Sequence, residues 1–219
     1  MIGEFRDFME AQQVPIPDPV VEVETLSDLY DDGTVFQFYD RSGDAKPGRG
    51  SGETIKPGDQ PLFARLGAEK GWRKMLSNSW AAPFMLDGHK WQSVEHYYQA
   101  SKFKDGNPQF YESFTLDVNP GSALATDPAV AEAAGGKTGK YKKTDVRPKD
   151  VSIDPNFFDG KHKDALEKAL HAKFTQNDDL KQVLLATKNA KLQRYKRGAP
   201  ASVAEDLMRV RRMIEAEKS

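Results

Sequence analysis

The sequence predicts a single α+β domain, mostly helical, with a small β-sheet. Three observations carry this. Thr34-Val-Phe-Gln-Phe-Tyr39 alternates and is rich in β-branched and aromatic residues, so it reads as a strand. Asp87-Gly88 stands between Pro83-Phe-Met-Leu86 and Lys90-Trp91, a strong hairpin signal. From Phe157 to Thr175 the pattern turns helical, with Ala165, Ala169 and Ala172 interleaved with Leu166, Leu170 and Phe174. The sheet is expected from the first strand and the hairpin together.

Residues 1–32 carry nine acids against the single basic Arg6 and are broken by Pro15, Pro17 and Pro19. They predict an acidic N-terminal arm before a domain over 33–219, either a solvated tail or a shield for an anion site. The first residues have acids where a signal peptide needs a basic start. No stretch approaches the ~18 apolar residues of a membrane span. The chain has no cysteine, which excludes disulfides, thiolate zinc sites and thiol nucleophiles. A cytoplasmic protein is expected. The net charge of −1, with 30% of residues charged, argues neither for nor against nucleic acid.

Residues 40–61 are dense in Gly and Pro and predict a loop. Gly48, Gly50 and Gly52, with Lys46 and Arg49, could cradle a phosphate or form a lid; a flexible loop is the simpler reading. Leu62, Phe63, Leu66, Trp72 and Met75 anchor the next segment. Short helices are predicted over 107–114 and 127–134. Residues 135–149 hold six basic side chains: Lys137, Lys140, Lys142, Lys143, Arg147 and Lys149. These form either an exposed loop or a contact for pyrophosphate or a DNA backbone. Gly136-Lys137-Thr138 imitates the end of a Walker A motif, but Ala131 stands where its first glycine belongs and no strand precedes it. Asn177 opens a further helix that buries Leu180, Val183, Leu184 and Leu185. Ser202-Val-Ala-Glu205 reads as a capping box for a last helix, with Val203, Leu207, Val210 and Ile214 in its apolar stripe.

The richest stretch is Leu76 to Phe103. After the hairpin, Ser93 is a candidate N-cap for a helix from Val94 to about Phe103. On that helix Glu95, Gln99 and Lys102 follow i, i+4, i+7 and share one stripe. An acid, an amide and an amine in line, with Tyr98 beside them and Trp91 near, suit a pocket for a flat, hydroxyl-rich ligand.

The residues Ser77, Asn78, Asp87, Gly88, Trp91, Ser93, Glu95, His96, Tyr97, Gln99, Ala100, Lys102 and Phe103 resemble the signature of the YbiA-like, or NADAR, family. Ala172-Lys-Phe174, Leu184-Leu-Ala-Thr187, Ala190-Lys-Leu192 and Leu207-Met-Arg-Val-Arg211 extend the likeness over about 34–215. The resemblance implies a YbiA-like fold and a hydrolase of N-glycosidic bonds in ribosylated bases. Its substrates would be ADP-ribosyl-guanine in nucleic acid or ribosylated riboflavin-pathway intermediates. The implied partner is an ADP-ribose-like nucleotide, a ribosylated base or ADP-ribosylated DNA, with no cofactor and no membrane; oligomeric state stays open.

Glu95 would act as electrostatic stabiliser or acid/base. Lys102 would touch phosphate, or attack the opened ribose C1 as a Schiff-base amine. Phe38, Tyr39, Ser77, Asn78, Trp91, His96, Tyr98 and Gln99 would bind substrate, although His96 also suits a buried, hydrogen-bonded role. His89, His96, His162 and His171 show no zinc spacing, so no metal is expected. One departure stands out: the family's Gly/Asn-rich loop before the last helix is reduced to Arg197-Gly198, where Arg194, Tyr195 and Arg197 could grip phosphate instead. The alternatives are a non-catalytic ADP-ribose- or NAD-type nucleotide-binding module, and a nucleic-acid binder using 137–149.

Overall fold

A computed structural model describes residues 29–217, so most of the expected acidic arm lies outside the described residues. In chain order the elements are β1 (Asp31–Phe38), α1 (Ala64–Ala68), α2 (Trp72–Met75), β2 (Phe84–Leu86), β3 (His89–Trp91) and α3 (Val94–Ser101). Then come α4 (Pro108–Glu112), α5 (Ala123–Thr126), α6 (Pro128–Ala134), β4 (Lys140–Tyr141), β5 (Thr144–Asp145), α7 (His162–Gln176) and α8 (Asp178–Ala186). The chain closes with β6 (Ala190–Lys196), β7 (Ala199–Val203) and α9 (Glu205–Ala216). The fold is α+β, with helices predominating. Asp31 and Asp32, the last residues given to the arm, stand in β1.

The sheet differs from the one expected. β1 pairs in parallel with β6, placing Phe36 beside Leu192 and Phe38 beside Arg194, and β7 adds antiparallel to β6. The hairpin β2–β3 forms a separate ladder. Its free edge is closed by a side chain: the Gln176 amide accepts from Met85 N and donates to Met85 O, both at 2.8 Å. The hairpin turn itself is as read. Asp87 and Gly88 have φ of 52° and 80°, the two left-handed residues of a tight antiparallel reversal.

The caps show where a local signal met a stronger tertiary one. Ser93 sits at the N-cap of α3, but its hydroxyl bonds His96 Nδ1 at 2.8 Å instead of the helix backbone. Ser202 and Val203 belong to β7, so the expected capping box does not form; Ala204 is the N-cap of α9, and Val203 is only half-buried. Asp127 does cap α6, accepting from Ala129 N at 2.9 Å. α3 ends at Ser101, short of Phe103. Leu185 is half-buried.

Helix α3 lies against α6 and α7 and supplies the centre of the core with Val94, Tyr97 and Ala100. Around them pack Phe84, Trp91, Phe103, Phe114 and Phe174. On the sheet side, Phe36 meets Phe63 and Trp72 edge-on.

The Gly-rich loop after β1 is organised around an internal anion. Arg73 gives Glu53 two bonds of 2.7 and 2.6 Å, and both side chains are buried. Glu53 also accepts Gln37 N, Gly48 N and Gly50 N. The backbone amides that the sequence offered to a phosphate are therefore taken by the chain's own carboxylate. In the basic segment, Arg147 donates to the carbonyls of Ala134, Gly136 and Lys137, closing the end of α6; the five lysines are exposed. Among the described residues no helix is long and apolar enough to cross a membrane.

Arg73→Met would leave Glu53 buried without its partner. Denaturant unfolding should show a loss of about 3–5 kcal/mol, the usual cost of breaking a buried pair. The variant's 40–59 loop should also become sensitive to trypsin under native conditions.

Candidate active site

The ends of β1 and β6, the turn at 77–79, the first turn of α3 and the start of α6 surround a cavity of about 420 Å³. Phe38, Tyr39, Ser77, Asn78 and Glu95, all expected from the sequence, line it. The turn is held in place from below. Lys173 of α7 is buried and donates to Met75 O at 2.6 Å and to Ser77 O at 2.8 Å. Above, Asn78 O accepts the backbone N–H of Glu95 at 2.9 Å, so the first turn of α3 is registered directly on the turn. Asn78 Oδ1 is buried and has no partner among the described residues.

Glu95 is half-buried, and Gln99 Nε2 donates to its Oε1 at 2.7 Å. Burial pushes its carboxyl above the ordinary carboxylate range, and the nearby Glu132 carboxylate adds to the rise. The Gln99 amide, Lys102 and Arg194 pull the other way. Glu132, on α6, lines the same cavity. A sequence reading had no route to it: it lies on an exposed face of a short helix, 37 positions after Glu95, and only the packing of α3 on α6 brings the two together. Arg194 also lines the cavity, held by a bidentate pair with Asp206 at 2.8 and 2.7 Å.

Five expected site residues lie off the wall of this cavity. Trp91 is sealed in the core against Tyr97 and Tyr111, and its Nε1–H donates to Leu86 O, so it offers no face to a ligand. His96 is buried behind Ser93, and burial holds its pKa at about 4. Tyr98 packs on Phe157. Gln99 acts through Glu95. Lys102 does not share the hollow with Glu95: its ammonium donates to Gly135 O at 2.8 Å and lies near the rings of Tyr98 and Phe158. Burial lowers its pKa, while Glu95 and Glu132 oppose that shift. The described residues contain no group of three or more His, Asp or Glu placed to hold a metal.

The NADAR domain model matches residues 67–196, the stretch that carries the turn, α3, α6 and β6. The chain belongs to the NADAR domain family. The proteins named N-glycosidase YbiA of Escherichia coli (strain K12) and of Shigella flexneri are each 32% identical to it over 117 residues, 53% of this chain and 59% of theirs. The chain therefore spans less than two thirds of the length of these relatives. The NMR structure of E. coli YbiA aligns with a TM-score of 0.47 at 22% identity, over 85% of this chain and 88% of that one. Within this NADAR domain the departure near the C-terminus is a hairpin: β6 and β7 turn at Arg197-Gly198, where Gly198 has φ 79°.

A Cβ at Gly135 would overlap Gln99 Oε1. Gly135→Ala should therefore displace the amide that orients Glu95 and, if the cavity is catalytic, lower turnover roughly 10- to 100-fold with the fold intact by circular dichroism. His96 gives a pH test. The unfolded chain takes up its proton near 6.5, the folded one only near 4, so His96 favours the folded state above 6.5. About 3 kcal/mol should be lost as pH falls through that window, and His96→Gln should flatten the dependence in denaturation curves.

Proposed function

We propose that this chain is an N-glycosidase, cleaving the bond between ribose C1′ and a base nitrogen in a ribosylated base or nucleotide. The observation that carries this is Glu95, a carboxyl group made less acidic by burial on the wall of a cavity that also presents Glu132. Such a group holds a proton to higher pH than an ordinary carboxylate, which is what a general acid needs. In the proposed step the C1′–N bond breaks, its electron pair leaves with the base, and the base nitrogen takes the proton of Glu95. Glu132 stabilises the positive charge that develops at the sugar, then takes a proton from the water that adds at C1′.

The unpaired Asn78 Oδ1 and the Ser77 hydroxyl suit ribose hydroxyls. Arg194 is taken by its bidentate pair with Asp206, so Lys196 and Arg197 at the rim suit a phosphate better. Membership of the NADAR domain family, and the name N-glycosidase carried by its relatives, support this reaction class. Within it, the substrates proposed are ADP-ribosyl-guanine in nucleic acid or ribosylated riboflavin-pathway intermediates, and the setting proposed is the cytoplasm. No cofactor enters this scheme.

Lys102 bears on a second reading. Its amine is bonded to Gly135 O and lies off the cavity wall, so the Schiff-base route lacks a free nucleophile, which favours proton-transfer catalysis or a nucleotide-binding module without turnover. Glu95→Gln separates these. Turnover, followed as released base by mass spectrometry, should fall roughly 10²- to 10⁴-fold with ligand affinity retained. Wild-type turnover should also decline as pH rises through the elevated Glu95 pKa, because only the protonated acid serves the leaving base. Tight nucleotide binding by the wild type, with no product from either substrate, would select the binding module.

A further inference from the structure

The cavity that holds Glu95 is bounded on one side by two rings. Tyr39, just past β1, and Tyr195, on β6, meet at 5.0 Å between centroids with planes tilted by 54°. Both rings also line two other hollows. One, of about 360 Å³, lies under the 40–53 loop, with Gln37, Ser42, Asp44 and Ser51 on its wall. The other, of about 550 Å³, is bordered by Lys196, Arg197 and the pair Asp40–Arg41, whose Oδ2 and Nε stand 3.7 Å apart.

The chemistry of these two hollows is opposite. Under the loop, Arg73 is the only cation on the wall among the described residues, and its Nε, Nη1 and Nη2 are engaged by Glu53, Ala45 O and Lys46 O. The Gly48 and Gly50 amides are engaged by Glu53 as well. A phosphate placed there would lose its hydration and find no free counter-charge. Asp44 Oδ1 accepts Gly71 N, Gln37 Nε2 donates to Gln193 Oε1 and Ser42 Oγ accepts Tyr39 N, which leaves an aromatic face, the second oxygen of Asp44, the Gln37 carbonyl oxygen and the O–H groups of Ser42 and Ser51. That set suits a flat, uncharged heterocycle, stacked on a ring and hydrogen-bonded at its edge. The exposed cations stand outside, at the crossing between the hollows.

We propose that the hollow under the loop is a nucleobase subsite. A substrate with its ribosylated end at Glu95 would pass over the Tyr39–Tyr195 rings, with its phosphates at Lys196 and Arg197, and seat a second base beneath the loop. This rests on reading the Glu95 cavity as the site of glycoside cleavage. Most of its wall, from Gln37 to Glu53, precedes the matched residues 67–196, while Arg73 and Tyr195 fall within them.

Calorimetry with AMP and with ribose 5-phosphate tests it on the full chain. AMP should bind roughly tenfold or more tightly than ribose 5-phosphate, the scale of one stacked base. Two substitutions would fill the compartment: Ser51→Trp at an exposed position, and Gly43→Phe where a Cβ meets nothing within 4 Å. Each should remove that advantage while hydrolysis of a ribosylated base that lacks a second base stays unchanged. Glu95→Gln should do the reverse, ending hydrolysis and keeping AMP bound. If AMP binds no better than ribose 5-phosphate, or binds the folded filled variants as tightly as wild type, the subsite is wrong. AMP binding that is lost in the filled variants, in a protein that hydrolyses no ribosylated base, would support the subsite and overturn the glycosidase reading alone.

Discussion

The contact on which the rest depends is the turn at 75–78, held between a lysine and a helix. Lys173 reaches it from α7 and satisfies the carbonyls of Met75 and Ser77; Asn78 O then receives the first turn of α3 through Glu95 N–H. Within the turn Ser77 O receives a long bond of 3.3 Å from Trp80 N–H, and a carbonyl left dry and unpaired there would cost about 1–3 kcal/mol. One buried ammonium serves both carbonyls. Its charge is costly there, and burial draws the pKa down to about 7. The same solution recurs in the chain. Arg211 joins Ala190 O, Leu29 O and Thr187, and Arg147 gathers the carbonyls at the end of α6. Long basic side chains, not further strands or helices, hold the irregular segments around the cavity.

This explains which parts were legible in the sequence. Asp87-Gly88 announces its turn because the needed backbone angles belong to those two residues alone. The alternation through Phe36 and Phe38 likewise reports one buried face. The parallel pairing of β1 with β6 joins residues more than 150 positions apart, and nothing in either segment names its partner. The Gly48–Gly52 segment offered backbone amides to an anion, and the sequence could not say that the anion is Glu53. Ser93 and Ser202 both carry capping chemistry, yet one hydroxyl goes to His96 and the other residue stays in a strand. At the site, residues from the local motif were foreseen, while Glu132 entered only through the packing of α6. Trp91 was placed near a ligand because aromatic motif residues suit both core and pocket; zero exposure decides for the core.

The position of Lys102 shapes the electrostatics more than its sequence spacing suggested. Had its ammonium stood beside Glu95 in the hollow, the pair would have favoured an ionised carboxylate. Turned to Gly135 O, it acts on Glu95 only at a distance, and burial dominates. Gln99 donates to the acid without neutralising it. Gly135 is what makes both arrangements fit, since a side chain there would meet the Gln99 amide next to the carbonyl that holds Lys102. The placement of Gln99 and Lys102 thus rests on a residue with no functional group.

The β6–β7 hairpin completes the wall. Asp206, in the first turn of α9, accepts Arg194 through both oxygens and also its neighbour's amide, Leu207 N at 2.9 Å. Arg194 is thereby held against the ring of Phe38, with its guanidinium carbon 5.8 Å from the ring centre, and its lowering effect on Glu95 is smaller than the rise from burial. The fixed pair is near neutral, so the cavity interior keeps an acidic bias from Glu95 and Glu132. The positive charge of Lys196 and Arg197 is exposed at the rim. On the function proposed above, a phosphorylated sugar would be drawn to the rim by charge and would turn its uncharged end inward, so that C1′, and not the phosphate, would meet the carboxyl groups.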